Sequence, residues 1–484
     1  FPGTSIPTII ILLVGGALFF TLYFGFVNVK RFPTAIATVS GKYDALDHHE
    51  SGAPDLAIEG DIKDTIKDES QEGEVSHFQA LATAVSGTVG NGNIAGVALA
   101  IAVGGPGATF WMILCGLLGM STKFVECTLG VRYRDVGEDG TVYGGPMYYL
   151  TKGLKERGLG KIGKFLAVTF AILCIGASFG GGNAAQSNQA AMQLVSTFGM
   201  TGGSARTIIG LIMMVFVAII IIGGIKRIAS VTEKIVPFMA LMYVLACVYI
   251  IGSNLSFVDD AFGMIFSQAF NPQAGLGGFL GVLITGFRRA AFSNEAGAGS
   301  ASIAHAAVKT KYPASEGLVA LLEPFIDTVV ICTMTALVII IFNGDNAVFD
   351  YGGEGGRVMI DGVAVEGAAI TAAAFSEYIA FAGPFLTLAV VLFAVSTMIS
   401  WSYYGLQSWM YLFGKSKAAD LSYKILFLIF IVIGAAGDMS AVWTFSDAMI
   451  LALVFPNMIG LMLLYPKVKE ELTVYMTAIR DNKR

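Results

Sequence analysis

The sequence predicts an all-α polytopic membrane protein, and its composition and its apolar runs both support this fold class. Hydrophobic residues make up 55% of the 484 residues and charged residues only 13%, whereas soluble domains carry roughly 25% charged residues. The mean hydropathy is +0.71. Apolar runs long enough for a helical crossing, which needs about 20 residues, recur along the chain. The net charge of −5 and the lack of a basic face exclude nucleic acid as an expected partner.

Eleven apolar stretches are candidate membrane spans. The fourth, seventh and ninth are long enough to tilt or bend. The stretches cover residues 5–27, 77–103, 106–131, 163–198, 205–225, 231–253, 275–306, 314–342, 371–400, 421–436 and 441–465.

The distribution of positive charge predicts the orientation of these spans. With the N-terminus outside, 25 of the 30 lysines and arginines fall on the cytoplasmic side. The outside loops then hold only Arg206 and Arg357, while Lys123, Arg288 and Arg289 lie within spans. Because cytoplasmic loops carry an excess of Lys and Arg, we expect an N-terminus outside, a cytoplasmic C-terminus and an odd number of spans.

One segment does not resemble a span. Residues 44–75 contain eleven acidic residues and lie on the predicted cytoplasmic side. Such a composition is typical of a solvated linker, and nothing in the sequence argues for a regulatory role.

Two spans are interrupted at mid-length by glycine and polar residues, at 86–96 and at 292–300. A lipid-facing helix does not tolerate such breaks, because unpaired backbone groups in hydrocarbon are costly. Broken backbone at membrane depth therefore lines a cavity or is buried in protein. Two glycine-interrupted spans in corresponding halves of a chain indicate the binding site of a secondary transporter.

The two breaks offer different chemistry to a ligand. Unwound N–H groups attract carboxylates, and unwound carbonyls coordinate small cations. The run Gly90–Gly92 supplies N–H donors that a ligand approaches closely, and Asn93 adds an amide. The carbonyls of Ser86, Thr88 and Val89 face the other way, towards an ion.

The second break adds the polar oxygens of Ser293 and Asn294 and the carboxylate of Glu295. A ligand with one carboxylate and one ammonium group suits the two breaks together. An amino acid is such a ligand.

Two further polar runs lie inside apolar helices. The hydroxyls of Ser396 and Thr397 either bond back to carbonyls one turn earlier or ligate a cation. Asn183, Gln186 and Ser187 share one helix face, which must point into the bundle.

Large side chains restrict the size of the predicted pocket. Phe292, Met398 and Trp401 form one wall and Gln186 the opposite one, which leaves little volume beyond a methyl group. The candidate substrate-binding residues are Thr88, Gly90, Asn91, Gly92, Asn93, Gln186, Phe292, Ser293, Met398 and Trp401.

The chain resembles the alanine/glycine:cation symporter (AGCS) family of the amino acid–polyamine–cation superfamily. The resemblance covers residues 77 to about 465. It is carried by Thr88-Val-Gly-Asn-Gly-Asn-Ile-Ala-Gly-Val97, Gly104-Gly-Pro-Gly107, Gly144-Gly-Pro-Met-Tyr-Tyr149, Arg288-Arg289, Phe292-Ser-Asn-Glu-Ala-Gly297, Ala304-His-Ala306 and Trp401-Ser-Tyr-Tyr-Gly405.

The resemblance implies a LeuT-type 5+5 inverted-repeat fold with one extra N-terminal helix, eleven transmembrane helices in all, of which two are broken. The implied divisions are the extra helix and a cytoplasmic turn (1–43), the acidic linker (44–75), two five-helix repeats (76–253 and 254–465) and a cytoplasmic tail (466–484). It also implies the plasma (inner) membrane of a prokaryote and a chain that functions as a monomer in the lipid bilayer.

The resemblance further implies sodium as the co-transported ion. By motif position, the sodium site uses the carbonyls of Ser86 and Val89 with the hydroxyls of Ser396 and Thr397. A second sodium site or a charge network would involve Asn93, Ser293, Glu295 and Asp327.

The implied function is sodium-coupled import of alanine, glycine and also D-alanine or serine. Two alternatives stay open: proton coupling, with Glu295 as the proton carrier, and a larger neutral amino acid such as glutamine. An enzyme is not expected, because no HExxH or GxSxG motif is present. Four histidines and five cysteines without paired spacing predict no metal centre of the zinc type.

Overall fold

The computed structural model describes residues 7–47, 73–137, 140–200, 202–270, 278–344 and 347–482. Most of the predicted acidic linker, residues 48–72, lies outside the described residues. Immediately after it, the chain runs beside residues 307–309, where the N–H groups of Glu74 and Val75 donate to the carbonyl of Ala307 at 2.8 and 3.2 Å.

The first part of the chain forms short helices and then the first broken helix. Ser76 starts α5 with a capping box, in which its hydroxyl accepts from the Gln79 N–H while the Gln79 side chain accepts from the Ser76 N–H. This arrangement satisfies two N–H groups that a helix start otherwise leaves unpaired. The helices are α1 (Thr8–Tyr23), α2 (Val27–Lys30), α3 (Phe32–Val39), α4 (Asp44–Asp47), α5 (His77–Thr88) and α6 (Val97–Gly104), and a π-helical turn (Gly92–Gly96) leads into α6.

The next part alternates long apolar helices with short connections. A glycine-rich π-helical turn (Gly180–Ala184) interrupts the predicted fourth span between two α-helices. The elements are α7 (Gly107–Arg132), the antiparallel pair β1 (Asp135–Val136) and β2 (Val142–Tyr143), α8 (Pro146–Glu156), α9 (Gly160–Phe179), α10 (Ala185–Thr197), α11 (Ala205–Ile221) and α12 (Gly224–Ser253).

The last part contains the second broken helix and the two longest helices. The elements are α13 (Val258–Ala269), α14 (Gly278–Asn294), α15 (Ala301–His305), α16 (Pro313–Val319), α17 (Leu322–Pro324), α18 (Thr333–Asn343), the antiparallel hairpin β3 (Val358–Ile360) and β4 (Val363–Val365), α19 (Ala368–Tyr378), α20 (Ala382–Phe413), α21 (Lys417–Ala436) and α22 (Met439–Asp481). A 3₁₀ turn (Leu255–Phe257) precedes α13, a π-helical turn (Phe325–Cys332) joins α17 to α18, and a 3₁₀ turn (Glu354–Gly356) precedes β3.

Seven helices of the described chain are long and apolar enough to cross a membrane, or eight if the bent pair of α5 and residues 92–104 is one span. Two shorter apolar helices, α1 and α11, fall below that length. The protein is therefore a helical multi-pass membrane protein, although the predicted count of eleven spans is not reached on these criteria.

One predicted span boundary needs correction. The ninth prediction, 371–400, crosses a helix boundary, because Ile379 is extended (φ −124°, ψ 113°) and separates α19 from α20. The eleventh predicted span, 441–465, lies within a helix that is longer than the span. Helix α22 continues to Asp481 with a polar end, where Lys467 pairs with Glu470.

The packing places the broken helices at the centre and apolar surfaces at the outside. Helix α7 contacts α1, α14, α16 and α22, and its residues 119–131 are all buried. In contrast, Phe216 on α11 and Phe238 on α12 are 61% and 60% exposed. Apolar faces of this kind are the surface that a bilayer covers.

Candidate functional site

The first broken helix changes direction by 51° between α5 and the segment 92–104. Val89 leaves the helical conformation (φ −74°, ψ 88°). Gly90 must lack a side chain, because a Cβ there would collide with the hydroxyl of Thr397 on α20. At the break, the broken helix therefore lies in close contact with α20.

The N–H groups of this break are held by amide side chains of the protein. The Gly90 N–H donates to Asn93 Oδ1 at 2.8 Å, and the Asn91 N–H donates to Gln186 Oε1 at 3.0 Å. Gln186 is fixed in turn, since its Nε2 donates to the Gly181 carbonyl at 2.9 Å. A carboxylate reaching these two N–H groups would have to replace the two amide oxygens.

The second broken helix unwinds between α14 and α15, at residues 295–300. Gly297 and Gly299 have φ of +91° and +84°, a region open to glycine. Glu295 also has a positive φ of +55°, which costs a non-glycine residue about 1–3 kcal/mol and is typical of functional sites. Its carboxylate accepts from the Trp401 indole N–H at 2.9 Å and from the Ser300 hydroxyl.

A small cavity lies where the two breaks meet α10, α20 and α22. Its volume is about 10 Å³, compared with about 730 Å³ for a second cavity that shares none of its lining residues. The predicted residues that line it are Thr88, Gly92, Gln186, Phe292, Glu295, Thr397 and Trp401. The site is therefore enclosed and amphipathic, with one carboxylate, one amide and two large rings.

Other predicted substrate-binding residues do not line this cavity. The Asn91 N–H donates to Gln186, which lines the cavity, and the Gly90 N–H donates to Asn93. Asn93 and Ser293 contact Asp327 instead. Met398, which we expect to form a wall of the pocket, is fully buried and is not among the residues that line this cavity, while its neighbour Thr397 is. One residue along a helix turns a side chain by about 100°.

The sequence missed three residues that line the cavity: Gly87, Gly181 and Ile450. Gly181 lies in the glycine run of the π-helical turn. The sequence prediction for this segment rests on its polar residues and not on its glycines. Ile450 is one apolar residue among many on α22, and no sequence signal distinguishes it.

The predicted sodium ligands Ser86, Ser396 and Thr397 lie together where α5 meets α20. The Ser86 hydroxyl donates to the Ser396 carbonyl at 2.7 Å, and the Ser396 hydroxyl donates to the Phe393 carbonyl at 3.0 Å. The Thr397 hydroxyl is buried and has no hydrogen-bond partner among the residues that the structure describes. A buried hydroxyl rarely lacks a partner, so Thr397 is the member of the set that most needs one.

Three of the four residues predicted for a second ion site or charge network come together around one carboxylate. Asp327 accepts from Asn93 Nδ2 at 2.6 Å, from the Ser293 hydroxyl at 2.9 Å and from the Thr328 hydroxyl at 2.6 Å. Glu295 does not belong to this group. Within the described residues, no group of three or more His, Cys, Asp or Glu side chains could hold a metal ion, and the donors around Asp327 are neutral.

The arginines before the second break pair with Asp447 on α22 and not with Glu295. Arg288 lies 2.7 Å from the Asp447 carboxylate, and Arg289 contacts it as well. The guanidinium of Arg289 stands 5.6 Å from the ring centres of both Phe292 and Trp443. Phe292 lines the small cavity, whereas Arg289, Trp443 and Asp447 line the large one, so this layer lies beside both cavities.

Comparison with known proteins identifies relatives along nearly the whole chain. The family described as the sodium:alanine symporter family matches residues 3–484. The sodium/alanine symporter AgcS of Methanococcus maripaludis is 40% identical over 479 residues, which are 99% of this chain and 96% of that protein. GlnT of Bacillus subtilis, described as a probable sodium/glutamine symporter, is 35% identical over 413 residues, 85% of this chain and 79% of that protein.

Among solved structures, MhsT in complex with L-phenylalanine superposes with a TM-score of 0.52 over 82% of this chain and 99% of that one, at 15% identity. At this identity the likeness concerns the fold alone, which is that of LeuT-type transporters.

Proposed function

Because the chain belongs to the sodium:alanine symporter family, we propose that it imports small neutral amino acids together with sodium by alternating access. The proposed substrates are alanine and glycine, with D-alanine or serine as further candidates. Members of this family are transporters and not enzymes. The proposed location is the plasma (inner) membrane of a prokaryotic cell.

The small cavity between the two breaks supports this proposal most directly. A zwitterion needs an anionic group, a set of polar donors and a pocket of limited size within reach of one another. Glu295 supplies the carboxylate, Gln186 and the first break supply the donors, and Phe292, Trp401 and Ile450 restrict the size. Burial of these groups strengthens their electrostatic effect on a charged ligand.

We assign the substrate carboxylate to the N–H groups at Gly90–Gly92 and the ammonium group to the side of Glu295. Binding of the carboxylate would release the Asn93 and Gln186 amide oxygens from those N–H groups. Gln186 would then be free to turn its amide towards the substrate. This exchange of hydrogen bonds suits a site that binds and releases its ligand in every cycle.

The proposed sodium site consists of the Ser86 and Val89 carbonyls with the Ser396 and Thr397 hydroxyls. Hard cations prefer oxygen ligands, and the unpartnered Thr397 hydroxyl is the contact that supports this choice. A second sodium site at Asn93, Ser293 and Asp327 is a further candidate. Both lie at joints between a broken helix and a continuous one, so ion binding there would fix the relative position of the two.

The proposed architecture is an extra helix at residues 1–43 followed by two inverted five-helix repeats, 76–253 and 254–465, with the N-terminus outside and the C-terminus in the cytoplasm. The two broken helices then begin the two repeats. In this orientation the Arg289–Asp447 layer faces the outside. The proposed functional unit is a monomer.

The test is uptake of radiolabelled alanine into liposomes that contain the purified protein, driven either by a sodium gradient or by a pH gradient alone. Sodium-driven uptake supports the proposal. Uptake that follows the pH gradient in sodium-free buffer would establish the alternative of proton coupling through Glu295.

Competition separates small from large substrates. An excess of unlabelled glycine or serine should inhibit alanine uptake, whereas glutamine should not. The glutamine alternative has its support in GlnT, which is described as a glutamine symporter. Strong inhibition by glutamine at the same concentration would favour that alternative over the small pocket.

A further inference from the structure

A second cluster of buried ionisable side chains lies apart from the cavity, at the start of α5. His77 Nδ1 contacts one carboxylate oxygen of Glu316, and His305 Nδ1 lies 2.5 Å from the other. The Glu316 carboxylate therefore contacts both histidines of the described ranges. His77 is 7% exposed, and His305 and Glu316 are completely buried.

The cluster continues through α17 into α7 and α22. Glu323 lies 3.7 Å from His305 Nε2 and 2.9 Å from Lys123 Nζ, which lies 3.8 Å from Glu126. Glu126 accepts from Asn457 Nδ2 at 3.1 Å, and the same Nδ2 donates to the Gly297 carbonyl at 2.8 Å. The chain of contacts thus runs from the end of the first broken helix to the middle of the second.

The charges of this cluster balance only with added protons. It holds three carboxylates (Glu126, Glu316 and Glu323) and one lysine, Lys123. With both histidines neutral its net charge is −2, and with both protonated it is zero. Uncompensated buried charge is strongly unfavourable, so the assembled cluster favours the protonated histidines.

His77 begins α5, the half of the first broken span that precedes the 51° break. Helix α5 contacts α16 through His77 and Glu316 and α12 through the Thr83 and Thr232 hydroxyls at 3.2 Å. It is also joined to α20, because the Ser86 hydroxyl donates to the Ser396 carbonyl and the Ser400 hydroxyl donates to the Thr83 carbonyl. A swing of α5 about the break would separate His77 from Glu316 and expose it to water.

Other ionisable groups lie on the helices around the His77–Glu316 contact, but none of them takes the place of His77 or Glu316 in it. They are Glu233 on α12, which accepts from Gln79, Tyr404 on α20 beside Gly87, Asp327 in the π-helical turn, Cys127 on α7 and Tyr475 on α22, which contacts Tyr312 at the start of α16. Helix α3, which also packs on α5, carries no ionisable residue.

We propose that His77, Glu316 and His305 form a proton-binding latch that holds α5 closed on the cytoplasmic side. Protons bind to the closed cluster and leave when His77 reaches water. Histidine is the side chain that changes its charge between about pH 5 and 8, so the cytoplasmic pH sets the position of this equilibrium. Because the closed state holds more protons, acid favours closure and a higher pH favours opening. The direction rests on the proposed orientation of the transporter, but the latch itself does not depend on the substrate.

The first test follows opening without transport. Thr83 is a fully buried residue of α5 that faces α12, so a cysteine at this position becomes accessible to water only when α5 moves, and the five native cysteines are all buried. Its labelling by a water-soluble maleimide is measured in the otherwise wild-type protein and in H77Q, at about pH 6 and about pH 8. The ratio of the two rates at each pH removes the pH dependence of the thiol itself.

The latch predicts that H77Q labels several-fold faster at the acidic pH and at about the same rate at the alkaline one. E316Q should behave like H77Q, because it removes the same ion pair. D420N, which breaks the partly buried Lys424–Asp420 pair of α21, away from α5, should match the wild type at both values. Equal rates of wild type and H77Q at both pH values would overturn the proposal.

The second test uses sodium-driven alanine uptake, with the pH inside the liposomes varied and the outside pH fixed. Uptake by the wild type should fall as the inside becomes acidic, and H77Q should flatten this dependence. Uptake with the same inside-pH profile in both proteins would also contradict the latch. If no amino acid is taken up at any pH while the labelling result holds, the proposed function fails and the latch stands.

Discussion

Trp401 on α20 donates its indole N–H to Glu295 in the second break at 2.9 Å. Trp401 fits this position because Gly182 leaves room for it, as any Cβ at Gly182 would collide with the Trp401 ring. Three segments that are far apart in sequence thus orient one carboxylate at the edge of the small cavity. The tryptophan is therefore a positioning residue for Glu295 as well as a wall of the cavity.

The first prediction concerns this hydrogen bond. Replacing Trp401 with phenylalanine keeps a large ring but leaves Glu295 without one donor, and an unsatisfied buried acceptor costs about 1–3 kcal/mol. We expect W401F to raise the KM for alanine about tenfold or more, since 1.4 kcal/mol corresponds to a factor of ten. Uptake at a series of alanine concentrations measures the KM. The matched control is W409F on the same helix, and an unchanged KM in W401F would contradict the role of the N–H.

The second prediction separates the two hydroxyls of the proposed sodium site. The Ser396 hydroxyl already donates to the Phe393 carbonyl, whereas Thr397 has no partner. We expect T397A to raise the sodium concentration for half-maximal uptake by about tenfold, S396A to raise it less, and the double variant to weaken sodium dependence severely. Circular dichroism and size-exclusion chromatography check the fold. Unchanged sodium dependence in the double variant would refute the assignment.

The third prediction concerns the size of the pocket. Ile450 lines the cavity, and a methyl group at Gly181 would lie close to it and 3.5 Å from Phe292. We expect I450A to admit larger substrates such as leucine and G181A to disfavour alanine relative to glycine, with each methylene worth about 1–3 kcal/mol. Competition against labelled alanine measures both.

M398A is the informative comparison for the pocket. The sequence predicted Met398 as a wall, but the structure places it outside the lining. If M398A and not I450A broadens the substrate range, the substrate does not bind in this cavity as described.

The fourth prediction tests the orientation. Val363 lies 61% exposed at the start of β4, and Arg157 is exposed after α8. Both positions are accessible, whereas a side chain at nearby Gly353 would collide with Arg357 and one at Gly153, inside α8, would collide with Leu464. A membrane-impermeant maleimide should label V363C but not R157C in intact cells, and both after lysis. The reverse pattern would invert the proposed topology.

The sequence by itself determined the class of the protein and the position of its two breaks. Composition and apolar runs suffice for a helical membrane protein, because the bilayer imposes one length and one polarity on every span. The breaks are also local, since runs of glycine and polar residues cannot continue a lipid-facing helix. The positions of Gln186, Phe292 and Trp401 at the cavity followed from these local signals.

Only the tertiary structure decided which side chains meet. Arg289 pairs with Asp447 and not with Glu295, which is nearer to it in the sequence. Lys123 lies closer to Glu323 than to Glu126, although Glu126 is only three residues away on the same helix. Gly181 and Ile450 line the cavity, and the sequence did not predict either of them. The physical reason is that a buried charge takes the partner that helix packing brings within contact, and a small pocket takes its walls from whichever helices converge there. Neither is a property of sequence spacing.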